Sequence, residues 1–176
     1  MTKPIWYLDV DGVVNIARPI KPHDIPDEHW RDVLVTKLPI RYDQRVVDFI
    51  NRVHREGNAE IVWLTTWERK AIDDLAPVLE LDEFRLPSRS LRGFPEGAYG
   101  WWKWESVKHH TDEDDHDHRD IIWTDDDLAY AMKLSPAISA WHDSRDKVGL
   151  RTLGISPRSS RGLTPAHLAV IEEWIG

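Results

Sequence analysis

Short apolar runs alternate along the chain with segments of helical periodicity. The strongest strand candidates are apolar runs bounded by turn residues or acids, at residues 5–8, 59–64, 121–124 and 150–155. Helical spacing, or a Ser or Thr followed by proline, predicts helices after Asp43, at residues 68–76, 101–107, 128–134 and 136–147, and after Thr164. Strands that alternate with helices predict a central parallel sheet with helices on both faces. The pattern therefore predicts an α/β fold, a three-layer Rossmann-like domain.

Three of the predicted strands end in polar side chains. Asp9 and Asp11 follow the first strand, Thr65 follows the second, and Asp125 and Asp126 follow the third. Because the carboxyl ends of parallel strands lie at one edge of the sheet, where ligands bind, we expect these side chains to meet. Two like charges as close as Asp9 and Asp11 favour a cation or a shared proton between them. The alternative for any one segment is a plain strand followed by an acidic turn.

Composition narrows the classes of protein. The 176-residue chain has a formal net charge of −8, which argues against non-specific nucleic-acid binding but leaves room for a local basic patch. The absence of cysteine excludes disulfides, thiol catalysis and cysteine-based zinc sites. No apolar run reaches about 18 residues and no leader is evident, so we expect no membrane span, no secretory signal and a cytoplasmic location. The ten tryptophans are expected to anchor the core.

The motifs resemble those of the haloacid dehalogenase (HAD) superfamily of phosphohydrolases. Asp9-Val10-Asp11-Gly12-Val13 matches the first motif, Thr65 the second, Lys103 the third, and Asp125-Asp126 the fourth. They follow one another in family order across most of the chain. The first and fourth motifs are specific in combination, whereas the second and third are weak patterns by themselves.

The resemblance implies a phosphatase that works through an aspartyl-phosphate intermediate. Asp9 would attack phosphorus as the nucleophile. Asp11 would protonate the leaving oxygen and then activate water for hydrolysis. Thr65 would hydrogen-bond the transferring phosphoryl group, and Lys103 would balance the charge on its oxygens.

The resemblance also implies a Mg²⁺ cofactor, a hard ion that takes oxygen ligands. Asp9, Asp125 and Asp11, the last through its backbone carbonyl, would hold the ion. Asp126 would be a further metal ligand or would orient Lys103, and the sequence does not separate these two roles.

Several assignments have competitors. Thr65 could simply cap the following helix, with Thr66 as its rival for the phosphoryl group. Lys108 competes with Lys103 for the role of the third-motif lysine. In the acidic run that follows the third strand, Asp127 is expected to be a helix cap or first-turn acid, which the helix dipole favours.

The spacing of the motifs is typical of a HAD protein with a minimal cap or none. We expect one domain over residues 1–176, with a flap-like insert at residues 15–42. In the family, an open site often accompanies large substrates. Among phosphorylated substrates we therefore favour a nucleotide or the end of a polynucleotide. A partner subunit could supply a lid instead, and the oligomeric state is left open.

Two further surface features have alternative explanations. Arginines could form a basic rim around the site: Arg85, Arg89, Arg92, Arg158 and Arg161. An ordinary exposed loop explains the last two equally well. The histidines of the acidic stretch 109–120 could bind a transition metal: His109, His110, His116 and His118. A solvated loop is the favoured interpretation of that stretch.

A phosphoric monoester hydrolase is the favoured function. The enzymatic alternatives are a phosphotransferase and a dehalogenase-like enzyme that acts at carbon, and Asp11 disfavours the latter because it suits protonation of a phosphoryl leaving group. From a different class, the chain could be a non-catalytic module that binds phosphate and metal. The presence of both Asp9 and Asp11 favours the enzyme.

Overall fold

A parallel sheet lies at the centre of the molecule. The computed structural model describes residues 2–16, 27–89, 101–113 and 119–176. Their strands are β1 (Ile5–Leu8), β2 (Trp30–Val35), β3 (Leu38–Asp43), β4 (Glu60–Trp63), β5 (Ile121–Thr124) and β6 (Thr152–Ile155). Four of them form a parallel sheet in the order β4-β1-β5-β6, whereas β2 and β3 form an antiparallel hairpin. The predicted parallel sheet is confirmed.

The α-helices in the described ranges are α1 (Gln44–Arg55), α2 (Ala76–Leu79), α3 (Trp102–Glu113), α4 (Leu128–Leu134), α5 (Pro136–Lys147) and α6 (Pro165–Ile175). A 3₁₀ turn at Asp27–His29 precedes the hairpin, and a π-helix at Ala71–Leu75 runs directly into α2. Pro77, which has no backbone N–H to donate, follows the π-helix within this continuous helical run. No helix within these ranges combines the length and the apolar character that a membrane crossing requires.

Helices cover both faces of the sheet. On one face, Trp6 of β1 packs in a core with Ile50 of α1 and with apolar residues of α6. On the other face, Tyr7 of β1 belongs to a second core with Val107 of α3 and Leu128 of α4. Strands buried on both faces read as continuous apolar runs rather than alternating ones, which explains the sequence pattern of β1 and β5. The predicted three layers are confirmed.

The strand register aligns the carboxyl ends of β1, β4 and β5. Leu8, the last residue of β1, pairs with Trp63 of β4 and with Thr124 of β5. Asp9 and Asp125 come immediately after two of these paired residues. They therefore leave the sheet side by side at its carboxyl edge.

The described part of the predicted insert at residues 15–42 contains the β2–β3 hairpin. Thr36 and Lys37 form its turn with φ of 48° and 72°, the positive values that tight two-residue hairpin turns use. The hairpin ends at Asp43, whose side chain accepts a hydrogen bond from the backbone N–H of Arg45 and caps α1. Residues 17–26 of the insert lie outside the described residues. That the whole chain is one domain stays a prediction.

The histidine-rich stretch is in part helical rather than a solvated loop. Helix α3 continues through His109 and His110 to Glu113. His110 is fully buried, and the hydroxyl of Tyr7 lies 2.8 Å from its Nδ1. The solvated-loop interpretation is therefore wrong for this part, because one side of α3 packs on the sheet. His116 and His118 lie outside the described residues.

Candidate active site

Lys103 links the ends of the two central strands. Its Nζ lies 2.6 Å from Oδ2 of Asp9, directly after β1, and 2.6 Å from Oδ2 of Asp125, directly after β5. The rings of Trp101 and Trp102 flank the ammonium at 5.9 and 6.0 Å. The three charged side chains are buried, so solvent screens their attraction only weakly. Three segments that are distant in sequence thus meet at the carboxyl edge of the sheet.

Asp126 adds a third carboxylate to this cluster. One ligand atom from each of Asp9, Asp125 and Asp126 lies within 4.8 Å of the other two. Counted together, the ammonium of Lys103 and the three carboxylates, when fully ionised, have two negative charges in excess. A divalent cation would balance that excess, and carboxylate oxygens are the ligands that Mg²⁺ takes. The donor set therefore fits Mg²⁺.

Burial raises the pKa of every carboxyl group in the cluster. It is the largest cause for Asp125, whose pKa rises to about 7 although Lys103 opposes the rise. It is also the largest cause for Asp126, whose pKa rises to about 6, and the neighbouring charge of Asp127 adds to the effect. The pKa of Asp9 is raised mainly by burial, again against the attraction of Lys103. Carboxylates that are so poorly solvated gain from a bound cation.

Burial and the neighbouring carboxylates have opposite effects on the pKa of Lys103. Burial lowers the pKa of its ammonium, but the charges of Asp9 and Asp125 outweigh burial and leave the pKa above its ordinary value. The lysine therefore stays protonated beside the two carboxylates.

Gly12 makes room for Asp126. Its φ of +77° suits glycine, and a Cβ at this position would lie 2.2 Å from Oδ2 of Asp126. On its other side, Asp126 accepts a hydrogen bond of 2.8 Å at its backbone carbonyl from the hydroxyl of Ser156, directly after β6. The turn after β1 and the end of β6 thus enclose the third carboxylate.

Asp11 has different partners from Asp9. Its Oδ1 accepts a hydrogen bond of 2.7 Å from Nδ2 of Asn15, and its Oδ2 accepts one of 2.9 Å from the indole N–H of Trp67. Within the described residues, its carboxylate is not part of the three-carboxylate cluster. The two acids of the first motif are thus separated: one side chain contacts the lysine, and the other is held by two uncharged donors. A metal contact through the backbone carbonyl of Asp11 stays a prediction.

Thr65 occupies the position beside the nucleophile candidate. It is buried and close enough to the carboxylate of Asp9 to lower the pKa of that group slightly, after the larger effects of burial, Lys103 and Val10. Its Oγ1 also accepts a hydrogen bond of 3.3 Å from the backbone N–H of Trp67, so it stabilises the turn as well. Thr66 is exposed. The N-cap residue of the π-helix that follows is Lys70, so the hydrogen bond of Thr65 stabilises the turn and is not a helix cap; its contact with a phosphoryl group stays a prediction.

The other competitors lie outside the cluster. Lys108 is exposed, with its Nζ 5.5 Å from the ring centre of Trp104. Asp127 is the exposed N-cap residue of α4, and its backbone N–H donates a hydrogen bond of 3.0 Å to Oδ1 of Asp125. The structure therefore brings Lys103 into the site, and neither Lys108 nor Asp127.

A groove opens beside Asp11. It has a volume of about 390 Å³, and the β2–β3 hairpin forms one wall and the turn after β4 the other. Its lining residues are Asp11, Asn15, Leu38, Pro39, Ile40, Thr66, Trp67 and Lys70, and we call it the Asp11 groove. An adjoining hollow of about 300 Å³ also contacts Asp11 and continues along β3. The described hairpin of the insert is therefore a side wall of an open site.

Arg85 does not belong to the predicted basic rim around the site. Arg85 is paired at 2.6 Å with Glu60, the first residue of β4, and so points to the opposite end of the sheet from the site. Arg158 and Arg161 are exposed beside a hollow of about 330 Å³ between β6 and α6, and their contact with a substrate stays a prediction. Arg92 lies outside the described residues.

Asn15 and Trp67 are residues of the site that the sequence pattern did not single out. Besides its bond to Asp11, Asn15 accepts a hydrogen bond of 3.0 Å at Oδ1 from the backbone N–H of Arg41, which ties the turn after β1 to the hairpin. The only signal was proximity, because Asn15 lies four residues after Asp11, and Trp67 two residues after Thr65. Nothing in the pattern showed that both would donate to one carboxylate.

One protein family, described as the HAD domain in Swiss Army Knife RNA repair proteins, matches residues 5–168. The chain belongs to this HAD family. The matched range includes both central strands and every site residue named above, and it confirms the resemblance drawn from the motifs. Comparisons with curated proteins and with solved structures gave no match. Membership of the HAD family suggests a phosphoesterase.

Proposed function

We propose that this HAD domain is a Mg²⁺-dependent phosphatase that hydrolyses a phosphate monoester through Asp9. The observation that carries the proposal is the position of Lys103, 2.6 Å from both Asp9 and Asp125. An anionic nucleophile and an anionic phosphate repel each other, so the reaction needs positive charge around the nucleophile. Lys103 supplies one such charge, and the three-carboxylate cluster can hold a second.

In the first step, a carboxylate oxygen of Asp9 attacks phosphorus and the bond from phosphorus to the leaving oxygen breaks. Asp11 donates its proton to that oxygen. The backbone N–H of Val10 donates a hydrogen bond of 2.7 Å to Oδ1 of Asp9, and Lys103 contacts Oδ2. These two contacts hold the nucleophile in one orientation, which lowers the entropic part of the barrier.

In the second step, water attacks the phosphorus of the aspartyl-phosphate. The carboxylate of Asp11 takes a proton from that water, the bond from phosphorus to Asp9 breaks, and inorganic phosphate leaves. Lys103 and the hydroxyl of Thr65 stabilise the charge on the phosphoryl oxygens in both steps. Asp9, Asp125 and Asp126 would hold Mg²⁺, which when bound offsets the negative charge of the phosphoryl group and its carboxylate neighbours.

The phosphorylated end of an RNA strand is the substrate that we propose. The family description places such HAD domains in RNA repair proteins. The Asp11 groove is open and its described wall is a short hairpin, so a large substrate can approach. An RNA substrate also agrees with the cytoplasmic location that the sequence predicts.

The test is hydrolysis of p-nitrophenyl phosphate by the wild type and by Asp9→Asn, with Mg²⁺ and with a chelator. We expect turnover by the wild type that requires Mg²⁺ and is lost in the variant. A panel of 3′- and 5′-phosphorylated oligoribonucleotides, mononucleotides, sugar phosphates and phosphopeptides then ranks the substrates. Turnover that survives in Asp9→Asn, or phosphate binding without turnover on any ester, would contradict the proposal; the latter would indicate a binding module.

A further inference from the structure

The Asp11 groove begins at the group that the mechanism places beside the leaving oxygen. If Asp11 protonates that oxygen, the leaving group must lie on the side of the site that the Asp11 carboxylate faces. Two hydrogen bonds, from Asn15 and Trp67, fix this carboxylate at the start of the groove. The remainder of the substrate beyond its phosphate therefore enters the Asp11 groove.

The hairpin wall of the groove is apolar. Leu38, Pro39 and Ile40 line it, and Leu38 is 52% exposed although it is a large apolar side chain. A flat apolar surface on the substrate, such as a nucleobase, would cover it. The volume of about 390 Å³ lies within the range of roughly 300–1,000 Å³ that is usual for small-molecule sites. One nucleoside is therefore an appropriate occupant.

The opposite wall carries a positive charge. Lys70 is exposed, and its backbone N–H donates a hydrogen bond of 3.0 Å to the carbonyl of Trp67, so it is fixed to the turn that holds Asp11. The adjacent Arg69 is paired with Asp73 at 3.1 Å, whereas Lys70 has no carboxylate partner within the part of the chain that the structure describes. A cation at this place suits a second anionic group on the substrate, beyond the phosphate that is cleaved.

We propose that the Asp11 groove binds the terminal nucleoside of a phosphorylated RNA strand, and that Lys70 binds the phosphodiester that joins it to the next nucleotide. This inference rests on the proposed phosphatase function. It predicts that the enzyme binds an RNA end more tightly than smaller esters. A mononucleotide has the base but no phosphodiester, and a sugar phosphate has neither.

The Lys70 contact is tested by comparing Lys70→Ala with Lys133→Ala, the same charge change at an exposed lysine of α4 that is not in the groove. We measure kcat and KM with a phosphorylated oligoribonucleotide, the matching mononucleotide and p-nitrophenyl phosphate. For Lys70→Ala we expect KM for the oligonucleotide to rise about tenfold at low salt. The slope of log KM against log salt should fall by about 0.7, as for the loss of one phosphate contact on a single strand. Mononucleotide and p-nitrophenyl phosphate kinetics should respond far less to Lys70→Ala, and all kinetics of Lys133→Ala should stay unchanged.

The apolar wall is tested by Leu38→Ala beside Leu34→Ala, an equally conservative change at a 71% exposed leucine of the same hairpin that does not line the groove. We expect KM to rise severalfold for the mononucleotide and for the oligonucleotide with Leu38→Ala only. With a small alkyl phosphate, which has no base, the effect of Leu38→Ala should be much smaller.

The outcomes distinguish this inference from the function on which it rests. If the wild type hydrolyses no phosphoester, the proposed function fails. If it hydrolyses p-nitrophenyl phosphate but oligonucleotide KM does not respond to Lys70→Ala and Leu38→Ala, only the groove assignment is overturned. A phosphopeptide that is turned over faster than any phosphorylated oligonucleotide would also overturn it.

Discussion

The indole N–H of Trp67 donates a hydrogen bond of 2.9 Å to Oδ2 of Asp11. The two residues follow neighbouring strands, since β4 and β1 are paired. In the same turn after β4, the side chain of Thr65 lies beside the carboxylate of Asp9 and lowers its pKa. One short segment thus lies beside both acids of the first motif, and we infer that it fixes the proposed acid–base group relative to the proposed nucleophile.

Replacing Trp67 by Phe removes this hydrogen bond and keeps an aromatic ring in the core. A hydrogen bond contributes about 0.5–1.5 kcal/mol, so we expect kcat to fall about threefold to tenfold with an alkyl phosphate. The loss should be smaller with p-nitrophenyl phosphate, because nitrophenolate leaves without needing a proton. The control is Trp104→Phe, because the Trp104 indole N–H has no acceptor among the described residues. Equal losses with the two substrates would contradict a role in positioning Asp11.

Lys103→Ala leaves three carboxylates without their ammonium. Removal of one partner from a buried ion pair costs about 3–5 kcal/mol, so the free energy of unfolding in denaturant should fall by roughly that amount. Turnover should fall at least about a hundredfold, as when a donor that stabilises transition-state charge is removed. Lys108→Ala is the matched control, since that lysine lies on the same helix but is exposed. Similar turnover in the two variants would remove Lys103 from the mechanism.

Gly12→Ala and Gly149→Ala separate backbone strain from a clash in the site. Both glycines have nearly the same φ, +77° and +79°, so each alanine should cost about 1–2 kcal/mol of stability. Only at Gly12 would the new Cβ meet a side chain, the carboxylate of Asp126 at 2.2 Å; at Gly149 nothing lies within 4 Å. We therefore expect Gly12→Ala alone to lose turnover and the rise in Tm that Mg²⁺ produces. Wild-type Mg²⁺ stabilisation in Gly12→Ala would argue against Asp126 as a ligand.

Glu60 lies at the opposite end of the sheet from the site, and its pKa predicts how the stability of the protein depends on pH. Its carboxylate lies 2.7 Å from Arg119 and 2.6 Å from Arg85. Burial raises the pKa of Glu60, but the arginines, Arg119 first, outweigh it and leave the pKa below its ordinary value. A lowered pKa means that the stabilisation is complete above the unfolded-state pKa and is lost as the pH falls through the folded-state pKa.

Glu60→Gln should therefore lower the free energy of unfolding by about 1 kcal/mol at pH 7 and by clearly less at pH 3. Denaturant titrations at the two pH values measure this difference. Glu56→Gln is the control, because Glu56 is exposed and its pair with Arg52 is 3.5 Å long, so the same change there should have little effect at either pH. A deficit for Glu60→Gln that is as large at pH 3 as at pH 7 would contradict the lowered pKa.

The strand ends and their acids could be predicted from the sequence because both follow from local rules. Buried strands appear as apolar runs, and the carboxyl ends of parallel strands share one edge. The sequence favoured Lys103 over Lys108 but could not exclude Lys108, since the two lysines are five residues apart on one helix. Packing decides between them: the ring of Trp101 stacks on Trp123 of β5 at 5.1 Å, which places Lys103 over the strand ends.

The structure of the histidine-rich stretch could not be predicted either, because it depends on contacts with residues distant in the sequence. A run of histidines and acids is typical of a solvated loop. His110 is nevertheless buried, because it contacts Tyr7, 103 residues away in the sequence, and Arg85, 25 residues away. Partners at such separations do not appear in a local pattern. The hydrogen bond between Trp67 and Asp11, 56 residues apart, could not be predicted for the same reason.

The most direct test of the central claim is to trap the phosphoryl group on the enzyme. The wild type is mixed with p-nitrophenyl phosphate and Mg²⁺, quenched in acid within a turnover, and digested for peptide mass spectrometry. The account predicts a phosphoryl group on Asp9 that accumulates in Asp11→Asn, where hydrolysis of the intermediate lacks its base, and that is absent in Asp9→Asn. Turnover that proceeds with no phosphoryl group on Asp9 at any time would contradict it.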